Sequence, residues 1–324
     1  GAKIMAWDAA DGTEPEALLT SNGFKVHLDL ISKTEFGDEA LQGADTLNGQ
    51  DDDDLIFAGK GYDIISGGED NDQIYAGAGD DVINGDAGAD TIYAGQGADT
   101  VHGDGGADHL YGEAGNDVIN GNLGNDQIWG GAGTDTLSGN ENNDTIWGGS
   151  DNDTLHGNDG EDTLDGEAGH DTVFGDDDSD TITSSKGSDV LDGEEDEDEY
   201  IINFDGFNAT KLVTAYDSGT TAGDDIVING TAEADTFLLR ANRVLNPDNH
   251  DKRNEDGIGL VAMQNIAAED AEAINNYERV DYNSTIESLN INSFAGNDYF
   301  ALDDNRAITE IDAGEGDDSF QIGQ

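Results

Sequence analysis

An aspartate recurs every nine residues through the middle of this chain, eighteen times in succession and without a miss. The eighteen positions are Asp45, Asp54, Asp63, Asp72, Asp81, Asp90, Asp99, Asp108, Asp117, Asp126, Asp135, Asp144, Asp153, Asp162, Asp171, Asp180, Asp189 and Asp198. Two residues after each aspartate stands Leu, Ile or Val, replaced only in the last copy by Tyr200. One large apolar side chain per nine residues cannot make a core alone, so the repeats must stack on one another to bury it.

Small residues hold two further places in the repeat. Gly or Ala stands five residues before nearly every aspartate, and Gly is the commonest residue two before it, as in Ala76 and Gly79 ahead of Asp81. Glycine permits positive φ in tight turns, and the β-branched residue after the aspartate suits a pleated strand. The repeat therefore predicts a turn followed by a very short strand, in a solenoid whose strands lie ~4.8 Å apart.

The residue three after the repeat aspartate alternates between two classes. One set is aromatic and consists of Phe57, Tyr75, Tyr93, Tyr111, Trp129 and Trp147. The interleaved set is polar and consists of Asn48, Ser66, Asn84, His102, Asn120, Ser138 and His156. Because this position neighbours the inward apolar residue, its side chain must point outward. The alternation predicts a two-sheet roll with two repeats per rung, an aromatic ladder on one sheet and a polar ladder on the other.

The charge of the chain limits its partners. Asp and Glu number 74 against 12 Lys and Arg, which gives a formal charge of −62, and only Lys60 and Lys186 are basic between residues 40 and 203. This charge excludes nucleic acid as a partner and favours cations. With no Cys and only 35% apolar residues, the chain needs another source of stability, for which metal is the candidate. No apolar run approaches the ~20 residues of a transmembrane helix, and none resembles a signal peptide.

The nonapeptide resembles the glycine-rich repeat of the RTX family, G-G-x-G-x-D-x-U-x with U a large apolar residue, over roughly residues 40 to 203. The resemblance implies a right-handed parallel β-roll with Ca²⁺ between the turns of successive rungs, held by the eighteen repeat aspartates and by turn carbonyls. Hard oxygen ligands also select calcium over zinc on chemical grounds. Two rows of nine aspartates leave room for at most about 16 ions.

Six turns depart from the family pattern. The Gly two before the repeat aspartate is replaced by Asp52, Asp70, Asn142, Asp151, Asp178 and Asp196. Such residues tolerate left-handed geometry less well than Gly, so we expect these turns to be distorted or weakly occupied, with frayed rungs near both ends. The nine-residue pattern stops at Phe207, where the next aspartate is due.

The flanks predict two further domains around the roll at 40–203. Residues 1–39 are interpreted as a cap, with a short helix from Thr13 to Gly23 and an alternating strand from Phe24 to Leu30. Residues 204–324 are interpreted as a β-rich, solenoid-like domain because a looser repeat places Ile228-Asn229, Ile291-Asn292 and Ile311-Asp312 at equivalent positions. Residues 246–257 read as an excursion loop.

Catalysis is not indicated by these residues. Paired carboxylates arise by accident among 74 acids, no G-x-S-x-G motif occurs, and His102, His156 and His170 fall at surface or turn positions. The prediction is therefore a non-enzymatic module. For the aromatic ladder three interpretations stay open: docking of a protein partner or a neighbouring domain, binding of a polysaccharide, and stiffening of the sheet.

The predicted function is calcium-dependent folding of an extracellular structural or adhesive module. In the cell, where free Ca²⁺ is scarce, uncompensated carboxylates would keep the chain unfolded, and millimolar Ca²⁺ outside would fold it. The resemblance implies type I secretion, and a surface-layer, filament or adhesin protein fits. The alternative is a non-catalytic RTX module of an exported polysaccharide epimerase, lipase or protease. The chain opens without an initiator Met and shows no secretion signal at its end, so we expect it to be a piece of a longer protein.

Overall fold

A computed structural model of the chain describes residues 4–5, 43–204, 212–216, 218, 224–230, 236–242, 258–263, 278–282, 286–294, 299–303 and 308–322. All regular secondary structure in these ranges is β-strand. The chain divides into two compact units, residues 1–162 and 163–324.

Apart from β1, the first unit is built from short strands at nine-residue intervals. They are β1 (Ile4–Met5), β2 (Thr46–Gln50), β3 (Leu55–Lys60), β4 (Ile64–Glu69), β5 (Gln73–Ala78), β6 (Val82–Ala87), β7 (Thr91–Gln96), β8 (Thr100–Gly105), β9 (His109–Ala114), β10 (Val118–Leu123), β11 (Gln127–Ala132), β12 (Thr136–Glu141), β13 (Thr145–Ser150) and β14 (Thr154–Asp159). The odd strands form one sheet in chain order and the even strands form the other, so successive strands alternate between two faces.

All strand pairs between β2 and β14 are parallel, and partner residues are 18 positions apart. Ile119, for example, lies opposite Val101 on one side and Leu137 on the other. The repeat region is therefore a parallel β-solenoid with about 18 residues per turn, as the alternation predicts. The right-handed winding that the resemblance implies stays a prediction.

Three side chains of each repeat point inward. The aspartate, the apolar residue two after it and the small residue four after it are buried, while the positions between them face outward. The apolar residue is at most 2% exposed in every copy. Period-two alternation thus turns one large apolar side chain per repeat into a continuous column, because each stacks on its equivalents in the neighbouring turns.

The turns in which glycine is missing differ locally from the others, since glycine at the equivalent place has a φ of 141° at Gly79 and 153° at Gly106. Weak ion occupancy of these turns stays a prediction. Asp52, Asp70, Asn142, Asp151, Asp178 and Asp196 all take positive φ values between 75° and 80°. Asp and Asn are the non-glycine residues that best tolerate this region. The carboxylate of Asp70 also accepts a hydrogen bond from the N–H of Asp52 in the preceding turn, at 3.2 Å, which helps to hold the two turns together.

The second unit begins with the same pattern and then loosens. Its strands are β15 (Thr163–Gly169), β16 (Thr172–Asp177), β17 (Thr181–Ser184), β18 (Lys186–Gly187), β19 (Val190–Glu194), β20 (Glu199–Asn203), β21 (Leu212–Tyr216), β22 (Asp224–Asn229), β23 (Thr236–Asn242), β24 (Ile258–Met263), β25 (Glu278–Tyr282), β26 (Ile286–Asn292), β27 (Tyr299–Asp303), β28 (Ile308–Asp312) and β29 (Ser319–Ile322). One sheet runs β15-β17-β20-β22-β26-β28, with β18 beside β15, and the other runs β16-β19-β21-β25-β24-β23-β27-β29.

The looser repeat predicted in this unit is stacked in register. Ile291 lies opposite both Ile228 and Ile311. The amide of Asn229 donates to Asn203 at 2.8 Å, and that of Asn292 donates to Asn229 at 3.1 Å. The strands on either side of the predicted excursion loop, β23 and β24, form an antiparallel pair.

Parts of the flanking predictions lie outside the described residues. These are the helix of residues 13–23, the strand of residues 24–30 and the loop of residues 246–257. Ile4 and Met5 of β1 pair with Leu55 and Ile56 of β3, the strand that carries Phe57. The boundaries 1–39, 40–203 and 204–324 stay predictions.

Candidate metal-binding turns

The eighteen repeat aspartates form two buried columns, and each is at most 4% exposed. From Asp45 to Asp144 the backbone N–H of each repeat aspartate donates to Oδ1 of the aspartate 18 residues later, as from Asp90 to Asp108 at 2.7 Å and from Asp108 to Asp126 at 2.8 Å. The carboxylate thus takes the place of a backbone carbonyl at the start of each strand. Each repeat aspartate thereby connects two successive turns.

The second carboxylate oxygen, Oδ2, has different surroundings from Oδ1. For ten aspartates Oδ2 is buried and accepts no hydrogen bond. These are Asp63, Asp72, Asp81, Asp90, Asp99, Asp108, Asp117, Asp126, Asp135 and Asp144. A buried charged oxygen without a partner is strongly unfavourable, so each of these atoms requires compensation that the described residues do not supply.

The glycine column lies directly beside these oxygens. A Cβ placed on Gly103 would lie 2.4 Å from Oδ2 of Asp108 and 2.7 Å from the carbonyl oxygen of Gly121. The same arrangement recurs at Gly85 with Asp90 and the Gly103 carbonyl. Glycine is required here because carboxylate and carbonyl oxygens from two successive turns crowd the space above its Cα.

Burial makes these carboxyl groups weak acids. Desolvation raises the pKa of Asp108 and of Asp144 to about 8 and that of Asp90, Asp117 and Asp153 to about 7. The hydrogen bond from the preceding aspartate lowers each pKa, and the neighbouring carboxylates raise it further. Without a cation, the columns therefore resist ionisation at neutral pH.

The donor set fits calcium. The turns offer carboxylate and carbonyl oxygens, which are the ligands of hard cations. Within the described residues no three His, Cys, Asp or Glu side chains come together as a metal-binding cluster. The carbonyl ligands that the resemblance implies for calcium at these turns stay a prediction.

Comparison with protein families decides the assignment. The family model described as HemolysinCabind, RTX calcium-binding nonapeptide repeat (4 copies), matches residues 39–65, 66–101, 102–137, 138–173 and 174–201. The chain belongs to the RTX repeat family. RTX repeats bind calcium, are generally structural modules and are typical of secreted bacterial proteins. A search of curated proteins found no match. Among the described residues no helix is long and apolar enough to cross a membrane.

The RTX column extends one aspartate further than the sequence pattern indicates. Asp224 is fully buried, and its Oδ1 accepts the N–H of Asp198 at 3.2 Å across 26 residues. Nine-residue counting misses it because the intervening segment is longer than a repeat. The signal that could have revealed it is the spacing to Ile226, two residues later, which is buried opposite Tyr200.

The aromatic ladder is stacked as predicted, on the outer face of one sheet. Successive rings from Phe57 to Trp147 lie with centroids 4.4 to 5.0 Å apart and planes within 10° of parallel. The four inner rings have a ring neighbour on both faces, which leaves mainly their edges toward solvent. The polar set lies on the other sheet, with His102 on β8 and His156 on β14, both half-buried.

Replacing Tyr93 by Ser should lower the stability of the calcium-loaded roll by about 1–3 kcal/mol, because two stacked pairs worth roughly 0.5–1.5 kcal/mol each are lost. Urea unfolding in saturating calcium measures this loss. Asn84→Ser is the matched control, since Asn84 lies on the polar sheet and Ser already holds the equivalent places 66 and 138. Equal losses in the two variants would contradict a stabilising role of the stack.

The raised pKa values predict that acid stabilises the calcium-free roll. The folded-state pKa lies above the unfolded value of 3.8, so folding takes up protons between pH ~4 and pH ~8. Stability is then fully present below pH ~4 and is lost as the pH rises toward 8. Urea unfolding of metal-stripped protein across this range measures the slope. Asp108→Asn should flatten it more than the exposed Asp159→Asn, and a stability that rises with pH would contradict the prediction.

Proposed function

We propose that this chain is a non-catalytic extracellular module, structural or adhesive, that folds when calcium binds to its turns after secretion. The observation that carries the proposal is the set of buried Oδ2 atoms without a hydrogen-bond donor, from Asp63 to Asp144. A structure that places ten such oxygens in its interior needs positive charge there. Only Lys60 and Lys186 supply Lys or Arg charge between residues 40 and 203, which supports bound cations as the source of that charge when the carboxylates are ionised.

The repeat aspartates, with the turn carbonyls beside them, are the groups that would hold calcium. The predicted set runs from Asp45 to Asp198, with Asp224 as an addition and Asp189 as an exception treated below. Bound ions would supply the positive charge that compensates the columns, in numbers up to about 16. Because an unfolded chain has no preformed site, the free energy of ion binding becomes free energy of folding.

The location follows from the same dependence. Extracellular modules bind calcium with dissociation constants of roughly 0.1 to 1 mM, far above free calcium in the cell. In the absence of the ion, the charge of −62 and the buried carboxylates oppose the compact state. The module would then stay unfolded during export and fold outside, which suits a surface-layer, filament or adhesin segment.

The decisive experiment changes one buried carboxylate without changing its shape. Asp108→Asn keeps the acceptor for the N–H of Asp90 but removes the charge. In chelator at pH 7 it should stabilise the fold, because Asp108 must take up a proton to enter the calcium-free fold at that pH and Asn need not. In calcium it should destabilise the fold and raise the calcium midpoint about ten-fold, because a charged ligand is lost.

The control is Asp159→Asn, which removes the same charge from an exposed position at the end of β14. It should change the stability in chelator and the calcium midpoint only slightly, since exposed single charges contribute little. Calcium titrations followed by circular dichroism give the calcium midpoint of each variant. Urea unfolding in chelator and in calcium gives the stability of each variant in the two conditions. If Asp108→Asn has the same sign of effect with and without calcium, the buried aspartates do not act as ion ligands.

We also propose that the aromatic ladder docks a protein surface rather than a sugar. Phe57, which starts the ladder, is 41% exposed, and the rings that follow are half-buried, so a continuous row of ring edges is presented. Sugar rings stack on free aromatic faces, and the inner faces of this ladder are already covered by neighbouring rings. A row of edges instead suits packing against apolar side chains.

A further inference from the structure

One turn in the second unit differs from all those described above. Ser184 stands five residues before Asp189, where the repeat otherwise has Gly or Ala. Its hydroxyl donates a hydrogen bond to Oδ2 of Asp189 at 2.5 Å, and both residues are buried, at 1% and 2% exposure. The oxygen that lacks a donor in the ten aspartates from Asp63 to Asp144 is therefore hydrogen-bonded here to a protein group.

The surrounding contacts are also made by side chains. The hydroxyl of Ser185 donates to Asp165 at 2.9 Å, and the N–H of Ser188 donates to Nδ1 of His170 at 3.0 Å. Lys186, one of two basic residues between 40 and 203, lies here in β18. Hydroxyls of this turn and an imidazole of the preceding turn thus make the contacts here.

Asp189 is also the last carboxylate of its column. Val190 lies opposite Thr214 of the next strand in the sheet, so Val213 takes the position that a further aspartate would hold. Val213 is fully buried and offers no oxygen from its side chain. An ion beyond Asp189 would therefore lack the second carboxylate that follows every aspartate of the first unit up to Asp144.

We propose that the hydroxyl of Ser184 replaces calcium at Asp189, so that this turn closes without an ion. The inference rests on the proposed function, because it concerns which turns need calcium. It removes Asp189 from the predicted ligand set. It also implies that the turn forms at calcium concentrations too low for the turns with glycine in the same place.

Counting ions tests the proposal. Ser184→Gly restores the family pattern and should bind one more calcium ion per chain than the wild-type protein, measured by equilibrium dialysis and elemental analysis. Ser138→Ala, a change in the outward polar set, should leave the count unchanged. If Ser184→Gly does not fold in calcium by circular dichroism, Ser184→Ala is counted instead, since Ala already occurs in this column at position 58.

An unchanged count in the folded variant overturns the inference and leaves the proposed function standing. A wild-type protein that binds no calcium overturns both. Hydrogen exchange of the wild-type protein gives a test without any variant. The N–H of Asp171, which donates to Asp189, should become protected at several-fold lower calcium than the N–H of Asp99, which donates to Asp117. Protection of Asp171 at the same or a higher concentration contradicts the proposal.

Discussion

Chelating calcium at neutral pH is expected to abolish the β-sheet circular dichroism of the first unit in one cooperative transition, and millimolar calcium is expected to restore it. The reason is the number of buried carboxylates. Each repeat brings one aspartate into the interior at no more than 4% exposure, and ten of their Oδ2 atoms have no hydrogen-bond donor. Without ions these groups must either ionise against their neighbours or take up protons that are scarce at pH 7.

The transition should be cooperative because no rung is stable alone. Each turn is hydrogen-bonded through its aspartate to the turns 18 residues before and after, so the loss of one ion weakens both neighbours. The measurement is a calcium titration followed by far-ultraviolet circular dichroism. Magnesium at equal concentration is the control, because it needs a stricter octahedral site and loses its waters reluctantly. An unchanged spectrum in chelator, or equal refolding by magnesium, would contradict the mechanism.

Replacing Gly124 by Val should abolish folding or lower stability by at least about 3 kcal/mol, even in saturating calcium. Gly124 has a φ of 140°, and a Cβ at this place would lie 1.3 Å from the carbonyl oxygen of Gly106 in the preceding turn. A β-branched residue can neither adopt this backbone nor avoid the carbonyl. The turn must then open, which disturbs the carbonyls expected to face the ion.

The matched control is Gly124→Asn. Asn142 holds the equivalent place one turn later with a φ of 79°, so Asn fits this place once the backbone changes from the 140° of Gly124, a change that a β-branched residue resists. We expect a loss of about 1 kcal/mol for this variant, from the modest strain of a non-glycine residue in the left-handed region. Urea unfolding in calcium compares the two. A Val variant as stable as the Asn variant would show that the turn does not depend on backbone geometry.

Much of the roll could be predicted from the sequence because its repeat is strict. Asp, apolar and small residues recur at fixed offsets, and a period of two within each strand leaves one choice of inward face. For the same reason the alternation of residues such as Tyr93 and Asn84 assigned them to opposite sheets. The second unit could be predicted less fully, since Asp224 enters the column only after a segment longer than the repeat.

The six turns without glycine differ locally from the turns with it. Asp70 and Asn142 take φ of 77° and 79°, whereas Gly88 and Gly124 at equivalent places take 149° and 140°. The change stays local, because the strands that follow, β5 and β13, still pair in parallel with their neighbours. The sequence could therefore locate the altered turns, while their effect on ion binding stays a prediction.

The sequence by itself determined the period, the inward column of aspartates, the two outward ladders and the preference for a hard cation, because all of these follow from residue type at fixed spacing. Only the tertiary structure decided how each carboxylate divides its two oxygens. Oδ1 accepts a hydrogen bond from a backbone N–H of another turn, while Oδ2 accepts none in the ten aspartates from Asp63 to Asp144 and accepts the hydroxyl of Ser184 at Asp189. The donors to Oδ1 lie in neighbouring turns, and the donor to Oδ2 of Asp189 lies five residues earlier. Their distances therefore depend on how the backbone folds and how successive turns stack.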